Sequence, residues 1–432
     1  MADVRVTRGE DGTVRVAAGP VSGPPMSYDD LSAVGPDFTR SVLDVAGAVL
    51  AWPVLGEPVL PVLPAAEIHD VGRAQQWLWA VYGERVAAAV HACSAGGPTH
   101  VEVAAAPTPL AAGAARLGLG HWAARWWPAS YTDGIAVLEP DVLGLELAAL
   151  THRCQQLFDE VGDQPDDCVA ELIEEHQDGL APLLQWWRAT PQPAYLARHL
   201  DGVLRMIDDA ADCAGLDGTA LRDLRSALDA GPDQGRTVDP GALFARQGGY
   251  ALAAGADTSV AGGRVIARGT GTNDWRRCPP GFVDAAEDSV SWTARAVGAR
   301  RRIEVEVVAH VAAPANGAPL VAEVLVSGGQ VNRGRPTRVP LVRRDDVWTG
   351  RADLAELAEL DPDPDHAVVE VSVLLPGFDP GAGTEARADR DAVRALARRR
   401  LADAARPLTY DGYDTLAEPF LAEMLAATSE DY

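Results

Sequence analysis

DAGPDQGRTVDPG, residues 229–241, marks a change of periodicity in this chain. Glycine, proline and aspartate crowd the stretch, and these residues favour turns over either regular element. It therefore reads as a domain boundary. Upstream, from about Ser27 to Ala230, apolar residues recur at helical spacing. In DVLGLELAALTHRCQQLFDE, Leu143, Leu147, Leu150, Cys154 and Leu157 alternate steps of four and three, and in YLARHLDGVLRMIDDAADC, Leu196, Leu200, Val203, Ile207 and Ala210 do the same. Each predicts a helix that buries one stripe. HVEVAAA, around His100, reads as a lone strand.

Downstream the period becomes two. RVIARG, SVSWTARAV, RRIEVEVVAHV, PLVAEVLVS, TRVPLVRRDDVWTG and HAVVEVSVLLPG are short strands between turn residues. In the last of them Val369, Val371, Val373 and Leu375 share one face, the alternation of a half-buried antiparallel sheet. After Gly383 the pattern is helical again. The expectation is an α+β multidomain chain. Residues 1–26 form a β-hairpin and 27–235 a mainly helical, Trp-rich domain. Residues 236–380 form an antiparallel immunoglobulin-like β-sandwich and 381–432 a helical C-terminal arm.

The 432 residues suffice for two or three cores, and 47% apolar with 23% charged residues is a globular composition. No lysine occurs; all 37 basic residues are arginine. That closes the Schiff-base, pyridoxal-phosphate and P-loop chemistries, which require a lysine amine. A net charge of −25 opposes DNA or an anionic membrane as partner of the whole chain. The five cysteines are scattered without a CxxC, so neither a disulfide framework nor a zinc motif is expected. MADVRVTRGEDG lacks the apolar core of a signal peptide, and VLDVAGAVLAWPVLGEPVLPVLPAA is too rich in proline and acids for a membrane helix. A soluble, cytoplasmic protein is expected.

Four constellations bear on chemistry. In GLGHWAARWWPAS, residues 118–130, Trp122 and Trp126 share a helix face, His121 and Arg125 form a second i,i+4 pair, and Pro128 stops the helix. Packing anchors are the first reading of these tryptophans, and a cleft with His121 or Arg125 as polar handle the second. RGTGTNDWRRCPPGF, residues 268–282, brings Trp275, Arg276, Arg277 and Cys278 into one loop, read first as a domain junction. Asp208, Asp209 and Asp212 in DDAAD resemble the DDxxD motif of isoprenoid synthases, which implies Mg²⁺ and a diphosphate substrate, with Asp166, Asp167 and Glu171 as an opposing cluster. The competing reading is a solvated charged face, with Arg205 pairing to Asp201, Asp208 or Asp209. DPDPDH, residues 361–366, lacks the glycine and glutamate of a calcium loop and reads as a turn.

The C-terminal arm is basic, with Arg390, Arg394 and Arg398 around a thin apolar seam, and the chain then displays Phe420 and Met424. Docking on the protein's own acidic surface is its simplest role, and binding an acidic protein partner or RNA the alternative. No HExxH, no GxSxG elbow and no Walker motif occurs. The functional expectation is a non-enzymatic adaptor or binding protein of a multi-component bacterial system, with any NTPase step supplied by a separate protein and no cofactor. The alternative is a Mg²⁺-dependent enzyme acting through Asp208, Asp209 and Asp212.

Overall fold

The computed structural model describes residues 2–18, 38–55, 63–130, 133–158, 165–189, 192–231, 238–244, 264–275, 277–286, 288–297, 300–310, 313, 320–327, 336–353, 368–378, 387–406 and 418–428. The DPDPDH stretch and Arg276 lie outside them.

The alternation at the N-terminus makes a hairpin of β1 (Ala2–Arg8) and β2 (Val14–Ala18). The Asp11 carboxylate accepts the Thr13 N–H at 3.0 Å, and Gly12 supplies the positive φ of the turn. Val4, Val6, Val14 and Val16 form one fully buried face. The hairpin is not a separate unit. Together with β3 (Arg40–Val45), β4 (Ala48–Pro53), β5 (Ala65–Ile68) and β6 (His100–Ala105), it forms an antiparallel six-stranded sheet in the order β3-β4-β5-β2-β1-β6. Residues 42–53 of the apolar run read only as too broken for a membrane helix thus belong to the β3–β4 hairpin. It turns at Gly47, where φ is +73° and a Cβ would sit 2.3 Å from the Asp70 carbonyl. The strand around His100 is not alone; it pairs with β1 along its length.

Helices α1 (Val71–Tyr82), α2 (Glu84–Ser94) and α3 (Pro109–Trp126) follow the sheet. Thr108 caps α3, accepting the Ala111 N–H at 3.1 Å, and Pro109 occupies the first turn. Next come α4 (Pro140–Arg153), α5 (Pro165–His176), α6 (Leu180–Arg188), α7 (Ala194–Cys213), α8 (Thr219–Ala230) and α9 (Pro240–Phe244). The predicted stripe of α7 is buried at all five positions. The stripe reading of α4 is too narrow: every residue from Val142 to Thr151 is buried, so α4 is a central helix. Helix α3 is its neighbour, and Gly120 there faces Leu147 and Phe420, where a Cβ would meet the leucine at 2.4 Å.

Two further antiparallel sheets follow, with strand orders β12-β13-β9-β8-β7 and β11-β10-β14. Their strands are β7 (Arg264–Gly271), β8 (Val290–Val297), β9 (Arg300–Val308), β10 (Val321–Ser327), β11 (Thr337–Pro340), β12 (Val342–Arg344), β13 (Val347–Asp353) and β14 (Val368–Leu374). Both sheets contribute to one core, including Trp292, Val305, Val307, Val324, Val339, Trp348 and Val373. Helices and antiparallel sheets together make the class α+β.

The C-terminal elements, α10 (Arg387–Ala404) and α11 (Leu421–Thr428), join the first core. Val393, Leu396, Ala397, Phe420, Leu421 and Met424 are members of it, as are Trp275 from the junction loop and Ala285 just beyond it. Phe244 packs on Trp186 with ring centroids 6.4 Å apart, so α9 also lies on the first core. Among the described residues, no helix is long and apolar enough to cross a membrane.

Candidate functional site: a cationic cleft between the two cores

The last turn of α3 ends where the first core meets the loop entering β8. Trp122 is 3% exposed and donates from Nε1 to the Phe38 carbonyl at 2.7 Å; Trp127 does the same to Ala136 at 2.9 Å. Trp126 is also buried, its ring tilted against Phe38 at 6.4 Å. These indoles are anchors, each apolar body in the core and each resolved N–H on a carbonyl.

The outer side of the same turn is different. His121, Trp122, Arg125 and Trp126 line a cleft of about 660 Å³, with Arg40 and Val42 of β3 on one wall and Pro279, Pro280 and Phe378 on the other. The Arg125 guanidinium lies 5.1 Å from the Trp126 ring centroid and 5.7 Å from that of Phe378. That arrangement holds a cation over two π faces and leaves its N–H edge for an anion. His121 is exposed to the cleft, yet the surrounding protein desolvates its imidazole and lowers its pKa, so the ring is neutral at pH 7. Arg125 and Arg40 are the arginines of the cleft lining.

The junction loop supports the cleft from below. Trp275 is fully buried, edge-on to Phe38 at 5.0 Å. Arg277 pairs with Glu323 and lines a smaller adjoining recess of about 400 Å³ with Arg338 and Phe378. Cys278 is buried beside Asp274; burial first, then that carboxylate, pushes its thiol up to about 12. It stays protonated and is no nucleophile.

The arm residues fall elsewhere. Arg394 is 2% exposed, its guanidinium bound to the Ala285 carbonyl at 3.1 Å and paired with Asp391 and Asp133. Arg398 stays exposed and reaches Asp133 at 3.5 Å; Arg390 is half-buried. Phe420 and Met424 are interior. The arm is folded onto its own chain, so Arg394, Phe420 and Met424 are not offered to a partner in this conformation. The physical reason is their apolar surface, which the first core covers.

The DDAAD carboxylates diverge. Asp208 and Asp212, one turn apart on α7, converge on the Arg225 guanidinium of α8 at 3.0 and 3.6 Å, where a magnesium ion would need to sit. Asp209 faces the other way, 3.2 Å from His152 Nε2. Arg205 pairs with Asp201 at 2.9 Å, as a charged helix face does. The side chains of Asp166 and Asp167 lie outside the described residues. His176 pairs with Asp141 at 3.2 Å over Gly144, where no Cβ would fit.

One charged assembly escaped the sequence reading altogether. Glu146, 1% exposed in the middle of α4, accepts from Arg116 at 2.7 Å and from the Leu421 N–H at 2.8 Å. His199 lies 3.7 Å from Glu146 and 2.8 Å from Glu418. Burial raises the Glu146 carboxyl, but His199, Arg116 and the Leu421 amide outweigh it and bring the pKa to about 2. Burial lowers His199, but Glu146 and Glu418 hold it at about 9. Alongside, Arg400 grips Glu423 with two bonds of 2.5 and 2.7 Å, and Glu423 also accepts the Phe420 N–H. Two carboxylates thus cap the N-terminus of α11. A lone Arg116 in AAGAARLGLG and a lone Glu146 in LGLELAAL were the available signals: single charges inside apolar runs.

Compared with protein-family models, curated proteins and solved structures, the chain matches none.

Proposed function

We propose that this chain is a non-enzymatic binding protein of the adaptor kind, a component of a multi-protein bacterial assembly, and that its cleft between the cores receives an acidic segment of a protein partner. The observation that carries the reading is the Arg125 guanidinium held over Trp126 and Phe378, with Arg40 in the same cleft lining, on a chain of net charge −25. A local cationic, aromatic recess on an acidic molecule favours a carboxylate-bearing ligand. An NTP-driven step belongs to a separate NTPase, since no lysine is present to hold the phosphates. A cytoplasmic setting, supported by five free thiols, is part of the same proposal. So is an immunoglobulin-like sandwich for β7–β14, supported by the shared core of the two sheets.

The test is photo-crosslinking from the cleft wall. Val42 is 46% exposed and lines the cleft, so a benzoyl-phenylalanine there samples whatever enters. In the native host one protein adduct is expected, lost in Arg125→Glu. No adduct, or an adduct indifferent to Arg125→Glu, overturns the proposal. A point substitution in the cleft is used because removal of the C-terminal arm would strip Val393, Phe420 and Leu421 from the first core.

A further inference from the structure

The aspartate that the DDAAD motif leaves over has a different company. Asp209 and Cys213 lie one turn apart on α7, and His152 comes to them from the last turn of α4. One ligand atom of each lies within 4.8 Å of the other two. We propose that His152, Asp209 and Cys213 form a binding site for a zinc-class divalent ion. This inference is independent of the cleft and of the adaptor reading.

Three observations support it. The first is donor chemistry. A thiolate and an imidazole beside one carboxylate suit Zn²⁺ or Co²⁺, whereas Mg²⁺ requires hard oxygens. The second is spacing. His152 Nε2 and Asp209 Oδ2 stand 3.2 Å apart. Two ligands on a tetrahedral ion with bonds of about 2.0–2.1 Å are separated by roughly 3.3 Å. The pair already has the required span, and rotation of the exposed Cys213 side chain brings in the third donor. The third is the disposition of the imidazole. Gln155 Nε2 lies 3.0 Å from His152 Nδ1 and holds the ring in place; metal binding at Nε2 requires this amide to turn over so that its oxygen accepts Nδ1–H. The ring side chain is only 12% exposed, which keeps it in place.

Neighbouring charges agree. Arg225 neutralises Asp208 and Asp212 and is turned away from Asp209. Arg153 is engaged with the Met206 sulfur at 3.6 Å. One carboxylate and one thiolate then face a divalent cation. Three protein donors leave a fourth position for water or a ligand, as in zinc sites that are not purely structural.

The probe is Co²⁺ added to the reduced full-length protein, followed by displacement with Zn²⁺. The expected result is one ion per chain, with a near-ultraviolet thiolate-to-cobalt absorption band that zinc abolishes. Cys213→Ser removes that band and weakens zinc affinity by more than about tenfold, and Gln155→Ala weakens it by about 10–100-fold with the band retained. Cys168→Ser, at another exposed thiol, leaves both unchanged. Cys213 and Asp209 are exposed, and circular dichroism of the variants verifies folding. Absence of the band in the parent protein, or its survival in Cys213→Ser, overturns the proposal. Its loss in Cys168→Ser overturns the residue assignment.

Discussion

The two cores of this protein handle charge in opposite ways. The first buries it: Arg116, Glu146, His199, Arg400 and Glu423 sit among helices, each with a partner. The second keeps it outside, as cross-strand pairs on the exposed face of its larger sheet. Arg302 lies directly opposite Asp353 at 2.9 Å and Arg351 opposite Glu304 at 3.2 Å. The geometry is similarly good in both places, but the consequences differ. An exposed pair trades water for a partner and gains little. A buried pair has no water to return to, so removing one member strands the other. The first core therefore uses charge to specify where a distant segment docks, and the second uses it to decorate strands whose register hydrophobic alternation already sets.

The largest expected effect is at the hub of the first network. Glu146→Gln leaves Arg116 and His199 poorly paired and removes one of the two charged caps of α11, and a loss of about 3–5 kcal/mol in urea unfolding is expected. A loss under about 1 kcal/mol would mean that the network contributes nothing specific. Close behind is Phe420→Ala. The ring is fully buried, 4.7 Å from the Arg116 guanidinium, and truncation is expected to cost about 3–5 kcal/mol and to expose the C-terminal segment to protease. If stability falls but the segment stays protected, its docking does not depend on that ring.

Protonation separates the cores without mutation. His199, raised to about 9, contributes stability that is complete below about 6.5 and lost as pH rises through 9. Glu146, lowered to about 2, contributes above 4.5 and fails only in strong acid. The second core holds His310, 6% exposed; burial first, then Arg343, lowers it to about 4. Its contribution is complete above 6.5 and lost as pH falls toward 4. Hydrogen exchange should therefore quicken first in the first core between pH 7 and 9, and first in the second core between pH 6 and 4. Cys154 and Cys278, both raised to about 12, add alkaline loss only above about 9. An alkaline limb that survives intact in His199→Gln would refute the assignment. The smallest effect closes the comparison: Arg302→Ala should change stability by less than about 1 kcal/mol, and a larger loss would show that the surface ladder is cooperative.

Legibility followed the same division. The α+β class was readable, as were the strands after residue 264, because alternation is a property of adjacent residues and their burial agrees with it. The stripe of α7 was readable for the same reason. The β3–β4 hairpin was not, since both faces of β4 are largely covered and a buried strand shows no alternation. Of the candidate sites, His121, Trp122, Arg125 and Trp126 do line one cleft, and one helical turn accounts for that. Their partners Arg40, Pro279 and Phe378 come from remote segments that no local spacing connects. The same holds for His152 beside Cys213, where a search for CxxC-like spacing had to fail.

Periodicity, turn residues and the missing lysine thus established the classes of element and the chemistries the chain cannot perform, because each depends on neighbours a few positions apart or on composition alone. Folding had to decide which apolar faces meet, and with them the destination of the basic arm, the splitting of the DDAAD aspartates and the burial of Glu146 beneath Leu421. Those outcomes join residues tens to hundreds of positions apart, and their energies come from desolvation and long-range contact, which no local pattern encodes.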